Sequence, residues 1–190
     1  VSAPEFLYVT VSRVVRRLKA ESIGRTIDVV RTLARDIPAR FIVVGDGDAR
    51  AELEARARAV NTELGRTAIQ FIGERVDPRA AYAAADVVIG MGGSALRGMA
   101  FEKPTIVVGE AGYCEAMNEA TAARFLYHGL YGVGCGDVGN RTLDGLMRRL
   151  YAERHASADL GAQCRAFVVR HFGTAAVAAE LDRLLRDAVL

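Results

Sequence analysis

Short apolar runs of strand length punctuate this chain: Phe6–Ser12, Arg40–Val44, Thr67–Ile72, Val87–Ile89 and Thr105–Val108. Runs of this kind, with little alternation of polar positions, fill strands buried on both faces. Between them the pattern becomes helical, over Ile23–Asp36, from the Gly45-Asp46-Gly47-Asp48 turn to about Leu64, and over Ala95–Phe101. Pro38 and Pro104 end the first and third of these helices, and Pro78 stands at the first position of a short one capped by Asp77. Tyr113–Arg124 also reads as helix. The Gly- and Tyr-rich stretch Phe125–Asp137 resists assignment, apart from a last short strand around Val133. Thr142–Arg154, Ala158–Phe172 and Thr174–Ala188 then read as three consecutive helices, with Gly173 between the last two.

Strands alternating with helices predict an α/β fold: a Rossmann-like, mainly parallel sheet with helices on both faces and a helical C-terminal tail. With no internal repeat, low-complexity run or linker, residues 1–190 read as one domain. A hydrophobic content of 51% with 25% charged residues is that of a globular chain. The net charge of +2 is too small to predict a nucleic-acid partner. No apolar run reaches membrane-spanning length, and no signal peptide is visible. Cys114, Cys135 and Cys164 are odd in number and lack metal-ligand spacing, so free thiols in a reducing, cytoplasmic setting are expected. The sequence has no initiating Met and enters a strand almost at once, which predicts a fragment of a longer chain.

In an open parallel sheet, ligands bind beyond the carboxyl ends of the strands. Four loops there carry functional residue types: Arg13–Lys19, Gly45–Asp48, Gly73–Arg75 and Gly90–Ser94. Gly90-Met91-Gly92-Gly93 leaves the backbone open to close approach, and Ser94 reads as the N-cap of the following helix. Such a loop either makes a plain tight turn or aims N–H groups and the positive end of a helix dipole at an anion such as a diphosphate. Arginine clamps phosphate oxygens bidentately and lysine adds a point charge, so the cationic loops favour a phosphorylated ligand. A nicotinamide-type fingerprint fails, because Arg50 stands where the third glycine after Gly45 and Gly47 belongs. A Walker A motif is absent, and no clustered His, Cys and carboxylate set predicts a metal or another cofactor.

Five stretches in order resemble one family, the retaining group-1 glycosyltransferases of the GT-B fold, in their C-terminal donor-binding domain. VTVSRVVRRLK is similar to that domain's opening strand followed by Arg and, six residues on, Lys. FIVVGDGDARAELEARA, FIGERVDPRAAYAAADVVI, LRGMAFEKPTIV and LGAQCRAFVVRHFG resemble later segments of the same domain. The resemblance implies half of a GT-B fold whose N-terminal, acceptor-binding domain is missing, and a nucleotide-diphosphate sugar of UDP or GDP type as substrate. It further implies that Arg13 and Lys19 bind the diphosphate and neutralise charge on the leaving nucleotide. Gly92, Gly93 and Ser94 would add backbone donors to the same phosphates. The backbone around Arg75 and Val76 would meet the base, and Gly112 and Glu115 would lie near the sugar.

The sequence also departs from that family. Two glutamates eight positions apart are usual, the first near the sugar and the second on the ribose; here Ile89 and Arg97, respectively, stand in their places. Arg97 cannot accept hydrogen bonds from a ribose diol, but it can pair with phosphate. Glu102 and Glu110 are the nearest replacement carboxylates, and both also read as solvated surface groups. Tyr127, His128 and Tyr131 read either as substrate contacts or as a packed surface loop, and His155 and His171 as structural. Two other readings stay open: a degenerate, non-catalytic nucleotide-binding domain, and a nucleotide-sugar 2-epimerase-like protein.

Overall fold

A computed structural model describes residues 4–189. Its strands are β1 (Phe6–Val11), β2 (Ala39–Val44), β3 (Ile69–Gly73), β4 (Val87–Gly90), β5 (Thr105–Val108) and β6 (Cys114–Ala116). They form one sheet in the order β3-β2-β1-β4-β5-β6. All neighbours run parallel except β5 and β6, which pair antiparallel. The chain therefore reverses its direction of travel across the sheet between β1 and β4, the kind of switch point at which such sheets open a crevice.

The strands are buried on both faces, as their apolar runs predict, and side chains alternate between two packing layers. On one face Phe6 and Tyr8 of β1, Val87 and Ile89 of β4, and Ile106 and Val108 of β5 join a core with Ile27, Leu33, Leu53, Leu143 and Met147. These come from helices α1 (Ala20–Asp36), α2 (Arg50–Leu64) and α6 (Arg141–Ala152). On the other face Val9, Val44 and Val88 pack with Tyr82 and Ala85. Tyr82 belongs to the short α3 (Arg79–Ala84), and α4 (Gly93–Ala100) covers the same face. Further along, Val107 packs with Ala95, Met99, Phe125, Cys164 and Phe167. Phe125 lies on α5 (Glu119–His128), while Cys164 and Phe167 lie on α7 (Ser157–Phe172). The last helix, α8 (Thr174–Val189), packs on α7 and leaves Val177, Leu181, Leu184 and Leu185 exposed.

The sheet and most helices match the sequence expectations, with five corrections. Helix α1 starts at Ala20 instead of Ile23. Pro78 is the N-cap of α3 and Arg79 its first residue, held by an Arg79 N–H bond to the Asp77 carboxylate at 3.0 Å. Ser94 is not a cap: α4 begins at Gly93, after Gly92 with φ +54°.

The largest correction is Tyr113–Arg124. The chain turns back through Ala111 and Gly112, both at positive φ, and Cys114–Ala116 pairs with β5 before any helix begins. The helix waits for Asn118, whose side chain accepts from Thr121 N–H while the Thr121 hydroxyl accepts from Asn118 N–H. This reciprocal cap sets the start of α5. Around Val133 the expected strand is a single bridge to Glu110. All three cysteines are free thiols.

Backbone contacts lace the carboxyl ends of the first strands together. Ser12 N–H donates to Val44 O, Val14 N–H to Asp46 O, and Gly45 N–H to Gly73 O, at 2.8–2.9 Å. This lacing requires glycine. A Cβ on Gly45 would lie 1.8 Å from Ser12 O, and one on Gly47 would lie 2.4 Å from Val14 O. Both glycines also sit at φ near +150°, a region closed to other residues. The Gly45→Ala variant is therefore expected to lose about 3 kcal/mol of stability, from clash and strain together, read as a shift in the urea unfolding midpoint.

Candidate functional site

The laced strand ends form the wall of an open cleft of about 740 Å³. Val11, Ser12 and Arg13 line it from the end of β1, and Val44 to Gly47 from the end of β2. Glu74, Arg75, Val76, Pro78, Arg79 and Tyr82 follow from the segment after β3, with Arg97 and Phe101 from α4 and its end. Four sequence-expected residues, Arg13, Arg75, Val76 and Arg97, thus meet in one place.

The charge of the cleft is unbalanced. Most arginines elsewhere are tied to carboxylates, as in Arg25–Asp137 and Arg148–Asp36, both at 2.7 Å. Arg13, Arg75 and Arg97 form no ion pair among the described residues, and neither does Lys19. Of the other charges lining the cleft, Arg79 is held by Asp77 at 2.6 Å. Asp46 accepts from Gly47 N–H and from Arg50, and these bonds hold its carboxyl below the usual range. Glu74 remains an exposed carboxylate on the rim.

Lys19 stands at the N-cap of α1, half-buried, outside the lining of the cleft but close enough to Arg13 to feel its charge. Burial lowers its pKa first, and Arg13 lowers it further. Two cations held together without a carboxylate between them favour any anion that settles across both.

The glycine loop behaves differently from its sequence expectation. Gly92 N–H is used by Leu130 O at 2.7 Å, and Ser94 N–H points back to Met91 O at 3.3 Å. Gly93 is the exposed member of the three and makes no such bond among the described residues. The Ser94 hydroxyl donates to Val11 O at 2.5 Å, across the switch point. Ser94 therefore fastens α4 to the end of β1, and none of the three lines the cleft.

Gly112 and Glu115 also lie elsewhere. Gly112 N–H donates to the Glu21 carboxylate at 2.7 Å, tying its turn to the start of α1. Both Glu115 oxygens accept from Arg124, and one also accepts from the Tyr113 hydroxyl, at 2.8–2.9 Å. Of the replacement carboxylates, Glu102 faces Arg165 at 3.6 Å and Glu110 accepts from the Tyr131 hydroxyl. Tyr127 and His128 are exposed at the end of α5, edge to face with one another.

Sequence reasoning missed Tyr82, Phe101 and Arg79 as parts of the cleft. Tyr82 sits in the AYAAADVV stretch, whose apolar neighbours mark it as core, so no local signal placed it at a ligand. Among the described residues no three His, Cys, Asp or Glu side chains gather as a metal site, and no helix is long and apolar enough to cross a membrane.

A family model described as glycosyl transferases group 1 matches residues 5–129. The chain belongs to this family, and its fold is half of a GT-B fold. Among solved structures, HepE of Anabaena in complex with UDP superposes with a TM-score of 0.67 at 18% identity, covering 96% of this chain and 49% of that one. A glycosyltransferase of Rickettsia africae gives 0.68 at 13% identity, over 99% of this chain and 49% of that one. TarM of S. aureus, solved with UDP among its ligands, gives 0.67 at 14% identity, over 94% and 35%. The chain thus spans about half the length of the first two. No curated protein matches the sequence.

Removing the Ser94 hydroxyl leaves Val11 O without its donor. Ser94→Ala is expected to cost about 1 kcal/mol in chemical denaturation. Because the cleft wall is laced independently by Ser12, Val14 and Gly45, the variant should still fold cooperatively.

Proposed function

We propose that this chain is the donor-binding half of a retaining glycosyltransferase and holds a nucleotide-diphosphate sugar in the cleft beyond β1, β2 and β3. The observation that carries this reading is the convergence of Arg13, Arg75 and Arg97, none of them ion-paired, on one cleft, with Lys19 beside Arg13. Arg13 and Lys19 take the diphosphate, and the exposed Gly93 N–H at the start of α4 adds a backbone donor. The segment around Arg75 and Val76 meets the base.

When the bond from sugar to diphosphate breaks, negative charge grows on the departing phosphate oxygen. Fixed cations on that side stabilise the growing charge more than they stabilise the ground state. The acceptor and any general base belong, on this reading, to a partner N-terminal domain of the same enzyme. The exposed Leu181, Leu184 and Leu185 on α8 suit cover by further protein. This chain alone is therefore expected to bind donor and to transfer no sugar.

A second reading is a nucleotide-binding domain without catalysis. It is supported by Arg97 in a place where the family usually carries a carboxylate, and by Glu115 being engaged by Arg124 and Tyr113. Glycosyl transfer by this chain joined to its N-terminal domain would decide against it.

Thermal shift with UDP, GDP, ADP and NAD tests the main reading. A ligand at about a hundred times its Kd stabilises by about 2.7 kcal/mol, which raises Tm by several degrees. One nucleoside diphosphate is expected to give that shift, and Arg13→Ala and Lys19→Ala to remove most of it. A shift with NAD alone, or one untouched by both substitutions, overturns the reading.

The lowered pKa of Lys19 gives a pH signature with a definite sign. Protonated Lys19 holds the diphosphate, so affinity is full below its pKa and falls as pH rises through it. Arg13→Ala removes a neighbouring positive charge, so Lys19 keeps its proton to higher pH. Calorimetric titration of the nucleoside diphosphate should show the alkaline fall in affinity at a higher pH in Arg13→Ala than in the unaltered chain.

A further inference from the structure

Tyr82 is 1% exposed, yet it helps to line the cleft. Its ring stacks on Phe101, with centroids 5.6 Å apart and planes 20° from parallel. Its hydroxyl is buried and makes no hydrogen bond among the described residues. Ser94 and Arg97 lie close enough to pull its pKa down against the burial, yet neither meets it in hydrogen-bond geometry. The Ser94 proton is already committed to Val11 O. Phenylalanine at this position would keep the stacking and the burial without an orphaned polar atom.

Arg97 lies beside that hydroxyl, exposed and without a carboxylate partner among the described residues. A guanidinium only donates, whereas a protonated phenol accepts at its oxygen and still has its own O–H to donate. Burial raises the Tyr82 pKa, so at neutral pH the phenol keeps its proton. Both groups therefore have a donor free for the same partner, an acceptor oxygen bearing negative charge.

We propose that the Tyr82 hydroxyl and the Arg97 guanidinium form a subsite for one phosphoryl group of the ligand, an assignment that rests on the nucleotide-sugar reading above. Arg97 donates to the phosphoryl group from its exposed position, and Tyr82 donates its O–H to another of that group's oxygens. The phosphoryl group is either part of the diphosphate or a phosphate carried on the ribose.

Calorimetric titration with inorganic pyrophosphate and with uridine 3′-monophosphate distinguishes these sources, using the unaltered chain, Tyr82→Phe, Arg97→Gln and the double variant. The probe that reaches the subsite is expected to bind Tyr82→Phe about tenfold more weakly. Arg97→Gln should weaken it at least as much, and the double variant little further, because the two groups hold one phosphoryl group. The free Tyr82→Phe protein should melt no lower than the unaltered chain, since it loses an unsatisfied polar atom and nothing else. A response confined to pyrophosphate assigns the diphosphate, and one confined to the 3′-monophosphate assigns a ribose phosphate.

Unchanged affinity of Tyr82→Phe for both probes overturns the subsite, and a lowered Tm alongside it marks the hydroxyl as structural. If that happens while Arg13→Ala still weakens nucleoside-diphosphate binding, only the subsite falls. If the unaltered chain binds neither probe and no nucleoside diphosphate, the nucleotide-sugar reading falls and takes the subsite with it.

Discussion

The close approach of two backbone loops, Gly45 against Ser12 and Gly47 against Val14, is the constraint on which the rest of the site depends. A side chain at either glycine would meet a carbonyl oxygen well inside contact distance. Because nothing intervenes, the loops after β1 and β2 bond to each other, and β2 bonds onward to Gly73. Val14 is then sealed in the core, which leaves Arg13 beside it facing solvent at the mouth of the cleft. Backbone packing alone therefore requires both glycines of the GDGD run.

Charge follows the same division between scaffold and site. Along the helices and at the Gly/Tyr segment, most arginines are matched to carboxylates; Arg25, with its partner Asp137, is nearly buried and also bonds Asn140 at 2.7 Å. These contacts hold irregular chain against α1. At the carboxyl ends of the strands, Arg13, Arg75 and Arg97 are left unmatched. Unmatched cations in a partly enclosed cleft raise the local potential and attract an anion, whereas the same residues scattered over the surface would be screened by salt. A small net charge thus conceals a strongly polarised site.

Much of this was legible in the sequence. The parallel strands show as apolar runs; Arg13, Lys19 and Arg75 lie in loops where those runs stop, and Arg97 is singled out by the family resemblance. The segment from Tyr113 to Arg124 was not legible. Its composition suits a helix, but pairing Cys114–Ala116 with β5 satisfies a sheet edge, a long-range gain that local propensity does not contain. Ser94 misled for a related reason: a serine after glycines is a plausible cap, but its hydroxyl finds Val11 O on another strand.

The sequence by itself determined the class of fold, the order of its strands and helices along the chain, the membership implied by its ordered motifs, and the identity of the cationic loops. Those features are written in hydrophobic period, turn residues and local charge. Only the tertiary structure decided which of the named residues share a cleft. It separated Gly112 and Glu115 from Arg13, used Gly92 and Ser94 to fasten neighbouring elements, and brought Tyr82 from an apolar helix to the side of Arg97. Each of those outcomes depends on which hydrogen-bond partner or packing surface lies opposite in space, and residues far apart in the chain supply it.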